Sequence, residues 1–164
     1  MAWWRERLED LEKDMETPAE PHLQAIASEL LPRGISGREL SRLENAWLPL
    51  LEPFPWGAEQ SDALKLRGRI LFGIGALLLG ETAADAEPAG VVWSLVDGAQ
   101  HCTDPQSRDH LLGEARKAIA SNSSPGRLRP LTTLGALAVS DAKGGGNAAR
   151  MVAALKHRIT GRFS

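Results

Sequence analysis

The sequence has 164 residues, 43% of them hydrophobic, and its 19 basic and 21 acidic residues nearly balance. This length suffices to bury one hydrophobic core, and the balanced charge argues against the strongly basic class of nucleic-acid-binding proteins. We therefore expect a single domain over residues 1–164 with no nucleic-acid partner.

The sequence carries no signal for secretion. Its single cysteine, Cys102, cannot form an intrachain disulfide, and the first residues are charged where a signal peptide needs an apolar segment. The most apolar run, residues 70–80, is about half as long as the ~20 residues that cross a bilayer. We expect a cytoplasmic protein with at most peripheral membrane contact.

The chain has the pattern of an all-α protein. Apolar residues recur three or four positions apart, Ala and Leu are abundant and Tyr is absent. We predict a bundle of about six to eight helices, separated by Pro, Gly or polar segments. In chain order the predicted helices are 2–16, 21–31, 37–51, 58–79, 88–102, 105–120, 130–141 and 147–160.

The helix predicted at 58–79 is unusually rich in glycine. Gly68, Gly73 and Gly75 lie within it and Gly80 follows it. Glycine costs stability in an isolated helix, so these positions indicate that neighbouring helices approach closely there.

The last predicted helix has two kinds of side chain. We expect the apolar set to pack in the core, with contact to a membrane surface or a partner as the alternative. The apolar set is Met151, Val152, Leu155 and Ile159, and the basic set is Arg150, Lys156, His157, Arg158 and Arg162.

Five tryptophans stand out in a chain with three Phe. Large flat side chains could line an apolar cavity for a prenyl chain, but we expect core roles for Trp4, Trp47 and Trp93. Adjacent residues cannot share one helix face, so one of Trp3 and Trp4 should be exposed or in an interface.

The order of several motifs resembles the squalene/phytoene synthase family. Residues 3–8 are similar to the family's tryptophan-arginine helix, Leu43-Glu44 with Trp47 to a following helix, and residues 65–80 to the glycine-punctuated helix of the active-site cavity. Residues 128–131 and 156–162 look like the C-terminus of short bacterial members. The resemblance implies an isoprenoid-synthase-like bundle, corresponding to the C-terminal part of such an enzyme.

The resemblance also implies a damaged catalytic centre. Active members bind magnesium-chelated diphosphate through two aspartate-rich motifs, because the metal neutralises the charge on the leaving group. The first motif precedes the tryptophan-arginine helix, so we expect it to be absent. In the second, Asp97 falls at an asparagine, Gln100 at an arginine, His101 at an aspartate, Asp104 at a glutamate and Pro105 at an aspartate.

Two carboxylates remain as catalytic or magnesium-binding candidates, Asp97 and Asp104. If the helix persists through both residues, they share a helix face seven residues and about 10 Å apart along the axis, too far for one ion without help. The candidate ligand-binding residues are Arg67, Trp93, Asp97, Gln100 and His101.

A second cluster of metal-ligand types consists of His101, Cys102, Asp104 and His110. These side chains suit zinc, but adjacent residues on a helix point about 100° apart, so His101 and Cys102 could not both bind the same ion easily. We therefore do not expect a zinc site.

Two functions follow. The first is a non-catalytic family member without a cofactor, acting as a binding or assembly partner. A shortened bundle leaves apolar helix faces uncovered, so we expect a homodimer or a complex with another chain, with a prenyl diphosphate or lipid as a candidate ligand. The alternative is a magnesium-dependent transferase that condenses prenyl diphosphates, with Asp97, Asp104 and Asp109 rebuilding one diphosphate site.

Overall fold

A computed structural model describes residues 2–13, 17–119 and 124–163. These residues form eight α-helices and no β-strand, which confirms the predicted all-α bundle. The helices are α1 (Ala2–Asp10), α2 (Pro21–Ala25), α3 (Gly37–Trp47), α4 (Ala58–Leu78), α5 (Ala83–His101), α6 (Pro105–Ala118), α7 (Arg129–Ala142) and α8 (Asn147–Thr160).

Prolines account for most differences between predicted and observed boundaries. The segment predicted at 21–31 is α-helical only in α2 and continues as a π turn. A 3-10 turn that begins beside Pro32 follows, and it ends at Gly34, which has a φ of 80°. Pro49 likewise turns the end of the 37–51 prediction into a 3-10 turn. The first helix ends at Asp10, so its predicted continuation is wrong at 11–13, and its predicted last residues, 14–16, lie outside the described residues.

Helix α5 begins earlier than predicted. Pro88 marks the expected first residue, but the helix begins at Ala83, after Thr82. The alanine-rich start favours helix, and a 2.6 Å hydrogen bond from Thr82 Oγ1 to Asp85 Oδ2 supports it. Pro88 is the sixth residue of this helix, which continues through it to His101.

Helices α4 and α5 form the centre of the bundle and run antiparallel. They cross backbone to backbone at Gly68 and Gly90, where a Cβ on either residue would collide with the carbonyl oxygen of the other. A Cβ at Gly75 would lie 2.8 Å from Leu131 Cδ2 on α7. The predicted close packing at Gly68 and Gly75 is confirmed, whereas Gly80 follows α4 with a φ of 74°.

Helices α6 and α7 pack on α5, and α8 packs on α7. The largest group of buried side chains joins α4, α5, α6 and α7, and Leu64, Leu95 and Leu111 in it are almost wholly shielded. At the other end of the chain α1 packs on α3, where Ser41 Oγ donates a 3.2 Å hydrogen bond to Glu9 Oε1. In the described part of the chain, no helix is both long and apolar enough to cross a membrane.

Helix α8 is oriented opposite to the prediction. Met151, Val152, Leu155 and Ile159 are 74, 64, 60 and 66% exposed, whereas His157 is completely buried. The predicted core packing of the apolar set is therefore wrong. The small residues and His157 lie toward α7, so the large apolar side chains point outward.

His157 anchors the C-terminal segment. Its Nε2 lies 2.9 Å from Thr132 Oγ1 on α7, and its Nδ1–H donates to the carbonyl oxygen of Arg162 at 3.1 Å. Its ring packs on Phe163 with 4.7 Å between ring centroids. Burial lowers the pKa of His157, so the imidazole is held in its neutral form.

Candidate functional site

The predicted ligand-binding residues meet where α4 and α5 cross. Trp93, Asp97 and His101 lie four residues apart on α5 and therefore share one side of the helix. Arg67 is next to Gly68 in α4, so the close approach of the two backbones brings its side chain to Asp97.

Arg67 is held from three directions. Its Nη2 donates to Asp97 Oδ2 at 2.9 Å, and its guanidinium carbon lies 4.8 Å from the ring centroid of Trp47 and 5.1 Å from that of Trp93. Both rings are within the ~6 Å range of cation–π attraction. Because only 12% of the Arg67 side chain is exposed, these contacts are shielded from competing water.

One polar atom of the cluster lacks a hydrogen bond. Arg67 Nε is buried and has no partner among the described residues. Nη2 binds Asp97 and the guanidinium lies near the two indole rings, so Nε–H is a buried donor that these contacts leave without a hydrogen bond.

The carboxylate of Asp97 faces positive or donor groups. Besides Arg67, His101 Nδ1 lies 3.6 Å from Asp97 Oδ1 and donates to the Asp97 carbonyl oxygen at 2.8 Å. The His101 side chain is itself 77% exposed. Asp97 is therefore the buried partner of Arg67, with His101 at the solvent side.

Gln100 contributes to a neighbouring depression between α5, α7 and α8. Its Nε2 donates to Asp141 Oδ2 at 3.2 Å, and Arg150 Nε lies 3.5 Å from Asp141 Oδ1. The depression holds about 80 Å³, well below the ~300 Å³ at the small end of ligand pockets. Its lining residues include Trp93, Asp97, Leu134 and Leu137.

Asp104 has a structural role instead of a place beside Asp97. Helix α5 ends at His101, and Asp104 is the N-cap of α6, accepting hydrogen bonds from Ser107 N at 2.8 Å and from Ser107 Oγ at 2.6 Å. The bond from the Ser107 hydroxyl, followed by the backbone bond, lowers the pKa of Asp104. The two carboxylates thus lie on different elements, not on one continuous helix face.

The structure does not gather metal ligands here. Among the described residues no group of three or more His, Cys, Asp or Glu side chains could hold a metal ion. Cys102 is buried, and its Sγ lies 3.5 Å from the Asp104 carbonyl oxygen, while His110 Nε2 lies 3.3 Å from Ser61 Oγ. The magnesium that the family resemblance implies does not fit, because Asp97 is paired with Arg67 and Asp104 caps a helix.

The tryptophans form three groups by their contacts. Trp3 and Trp4 pack edge to face at 5.1 Å and are 49 and 43% exposed, and Trp47 is 44% exposed, so the core roles predicted for Trp4 and Trp47 are wrong. Trp93 is half-buried and packs on Phe72 at 5.5 Å as well as on Arg67. Trp56 packs on Phe54 at 4.9 Å.

Sequence analysis missed Trp47 as a member of the Arg67 cluster. The residue lies on α3, twenty positions before Arg67, and no spacing rule connects two helices separated by a turn. The cation and the aromatic residue were both visible, but their contact depends on how α3 packs on α4.

Comparison of this chain with protein-family models, curated proteins and solved structures found no match. The squalene/phytoene synthase resemblance therefore stays a prediction from the order of the motifs.

Proposed function

We propose that this chain is a non-catalytic squalene/phytoene synthase-like protein of the cytoplasm that acts as a binding or assembly partner. The observation that supports the proposal is the Arg67–Asp97 ion pair, because it engages the carboxylate that the family resemblance offers to a metal ion. A second copy of the chain or another protein is the partner we expect.

The chemistry of diphosphate departure supports this proposal. A divalent ion must bind free carboxylates and neutralise the leaving group. At Asp97 such an ion would meet the positive charge of Arg67, which is fixed between Trp47 and Trp93. At Asp104 it would compete with the Ser107 hydrogen bonds that start α6.

The exposed tryptophan pair supports the partner-binding part of the proposal. Trp3 and Trp4 both present large areas to solvent on α1, although an amphipathic surface helix usually buries such residues. Tryptophan is enriched among the residues that dominate protein–protein binding energies. The pair is therefore the surface of α1 that we assign to a protein partner.

The activity test is incubation of the purified chain with farnesyl diphosphate and magnesium, followed by analysis of apolar products. We expect no product above a protein-free reaction. Product that depends on magnesium and disappears in Asp97→Asn would replace this proposal with the transferase alternative.

The partner test is the oligomeric state at micromolar concentration, measured by sedimentation velocity. We expect a dimer, or a complex with a co-purified chain, that the double variant Trp3→Ser with Trp4→Ser dissociates. Leu51→Ser is the control, because Leu51 is 70% exposed on a different element. A monomer with no partner would overturn the binding assignment of the tryptophan pair.

A further inference from the structure

The charge of the chain is divided unevenly along its length. Residues 120–164 contain seven basic and one acidic residue, a net charge of +6, and residues 1–119 contain twelve basic and twenty acidic residues, a net charge of −8. The overall charge of −2 is the sum of these two parts. The part of the chain that contains α7, α8 and the segments beside them is therefore basic, whereas the rest of the chain is acidic.

The outward side of α8 is apolar and has basic edges. At 100° per residue, the four exposed apolar side chains fill an arc of about 100°. Lys156 lies beyond one edge of this arc and Arg158 beyond the other, and both are exposed. No acidic residue occurs in α8. The arc consists of Met151, Val152, Leu155 and Ile159.

Two grooves accompany α8, one on each side. The groove toward the start of α7 holds about 670 Å³ and is lined by Pro130, Ala154 and Leu155 with Arg129 and Arg158. The groove toward the end of α7 holds about 340 Å³, and its lining combines apolar and basic side chains. That lining includes Val139, Val152, Phe163, Lys143, Lys156 and Arg162.

Hydrogen bonds to α7 already fix the position of the α8 face in the free protein. Arg129 Nη1 donates to the carbonyl oxygens of Arg158 and Ile159, each at 3.1 Å, and so satisfies the C-terminal end of the helix. His157 fixes the opposite side of the helix to α7. Binding through this face requires little ordering of the chain.

We propose that the α8 face docks on an anionic lipid bilayer. The apolar arc enters the boundary between headgroups and acyl chains, and the flanking basic residues contact lipid phosphates. Exposed apolar side chains between lysines and arginines are the pattern of helices that lie in this boundary. The net charge of +6 on residues 120–164 matches a negatively charged membrane surface.

A second copy of the chain fits this face less well. A two-fold dimer through α8 would place Lys156 and Arg158 of both copies along one interface, where like charges repel. An arrangement that set the basic face on the acidic part of the next copy would be head-to-tail, and would build a ring or an open filament instead of a two-fold dimer. An anionic bilayer provides an apolar interior and negatively charged headgroups, and binding to it requires neither like-charge repulsion between copies nor head-to-tail assembly.

This inference rests on the proposed function only in assigning the chain a binding role. Its test measures no product and leaves Trp3 and Trp4 unchanged, so its failure and that of the proposed function are distinguishable.

The first experiment is co-sedimentation of the chain with vesicles. We expect binding to phosphatidylcholine vesicles that contain phosphatidylglycerol, weakening with added salt, and little binding to phosphatidylcholine alone. The double variants Lys156→Glu with Arg158→Glu, and Leu155→Ser with Ile159→Ser, should each bind about tenfold or more weakly. Arg69→Glu and Leu51→Ser are matched controls on other exposed helices or turns and should bind like the wild type.

The second experiment locates the contact. Because Cys102 is the only cysteine and is 4% exposed, Ile159→Cys can be labelled selectively with an environment-sensitive fluorophore. We expect a blue shift on anionic vesicles, and none for the same label at Leu51→Cys.

Absence of vesicle binding, or binding that the α8 variants leave unchanged, would overturn the proposal. A dimer that only the α8 variants dissociate, in a chain that ignores vesicles, would assign the face to a second copy.

Discussion

The crossing of α4 and α5 differs from the outer face of α8 in which side chains are enclosed and which are exposed. At the crossing, glycines bring two backbones together and charged groups are enclosed, with Arg67 paired to Asp97 between two indoles. On α8, a histidine is enclosed and large apolar side chains face solvent. The first region pairs its charged groups with each other, whereas the second exposes its large apolar side chains to solvent.

From this difference we infer which of the two regions is the binding surface. A catalytic diphosphate site needs free carboxylates, and the crossing has committed its carboxylate to Arg67. An interaction surface needs exposed apolar groups, and α8 provides them with basic residues on both edges. Substitutions that compare a buried interior position with an exposed surface position therefore test this difference.

The largest effect should come from matched leucine truncations. Leu95→Ala, at a fully buried position in α5, should lower the free energy of unfolding by about 3 kcal/mol. Leu155→Ala, at a position 60% exposed on α8, should change it by less than about 0.5 kcal/mol. Urea unfolding measures both, and a large loss at Leu155 would mean that α8 packs inward in solution.

A methyl group at the helix crossing should cost almost as much. Gly68→Ala should lower the free energy of unfolding by about 2–3 kcal/mol, because the new Cβ meets the backbone of Gly90. Gly113→Ala in α6 meets nothing within 4 Å and should stabilise the protein by about 0.5–1 kcal/mol. If both variants behaved alike in chemical unfolding, the close contact of α4 and α5 would be wrong.

Removing the cation of the crossing should have a smaller effect. Arg67→Ala should cost about 2 kcal/mol, since it removes a charged hydrogen bond and two cation–π contacts. Arg158→Ala on the exposed side of α8 should change stability by less than about 0.5 kcal/mol. A double-mutant cycle with Asp97→Ala should give a coupling of about 1 kcal/mol, and additive losses would show that the ion pair contributes nothing.

The smallest effect is a pH dependence at the inner side of α8. Burial lowers the pKa of His157 below its ordinary 6.5, and the nearby Arg129 charge acts in the same direction. The stability associated with neutral His157 is therefore full above pH 6.5 and is lost as the pH falls toward the lower folded-state pKa.

His157→Gln should remove this component. From about pH 7 to pH 5, the free energy of unfolding should fall less steeply for the variant than for the wild type. Parallel profiles would show that His157 is not enclosed as a neutral group.

Much of the central region could be predicted from the sequence. Periodic apolar residues indicated the helices, and glycines indicated the close contact at Gly68. Trp93, Asp97 and His101 were selected from the family resemblance, and their four-residue spacing is the local signal that puts them on one side of α5. These are local properties of a helix, so the chain order is enough to find them.

The α8 face could not be predicted in the same way. The usual rule turns apolar side chains inward, yet here His157 is satisfied by Thr132 and by the Arg162 carbonyl, two groups brought together only by the tertiary fold. The approach of Trp47 to Arg67 likewise depends on packing between helices. The end of α5 was predicted to within one residue, but the role of Asp104 as the N-cap of α6 was not, because it depends on the hydrogen bonds that its side chain accepts from Ser107.

The most direct test of the central claim is thermal unfolding of the wild type and of Asp97→Asn, with and without farnesyl diphosphate and magnesium. If Asp97 pairs with Arg67 and binds no metal ion, magnesium should not raise the melting temperature of either protein beyond its value with farnesyl diphosphate alone, since no native-state site binds the metal ion and the diphosphate together. A rise in the wild type that requires both ligands and disappears in Asp97→Asn would contradict the account and restore the transferase.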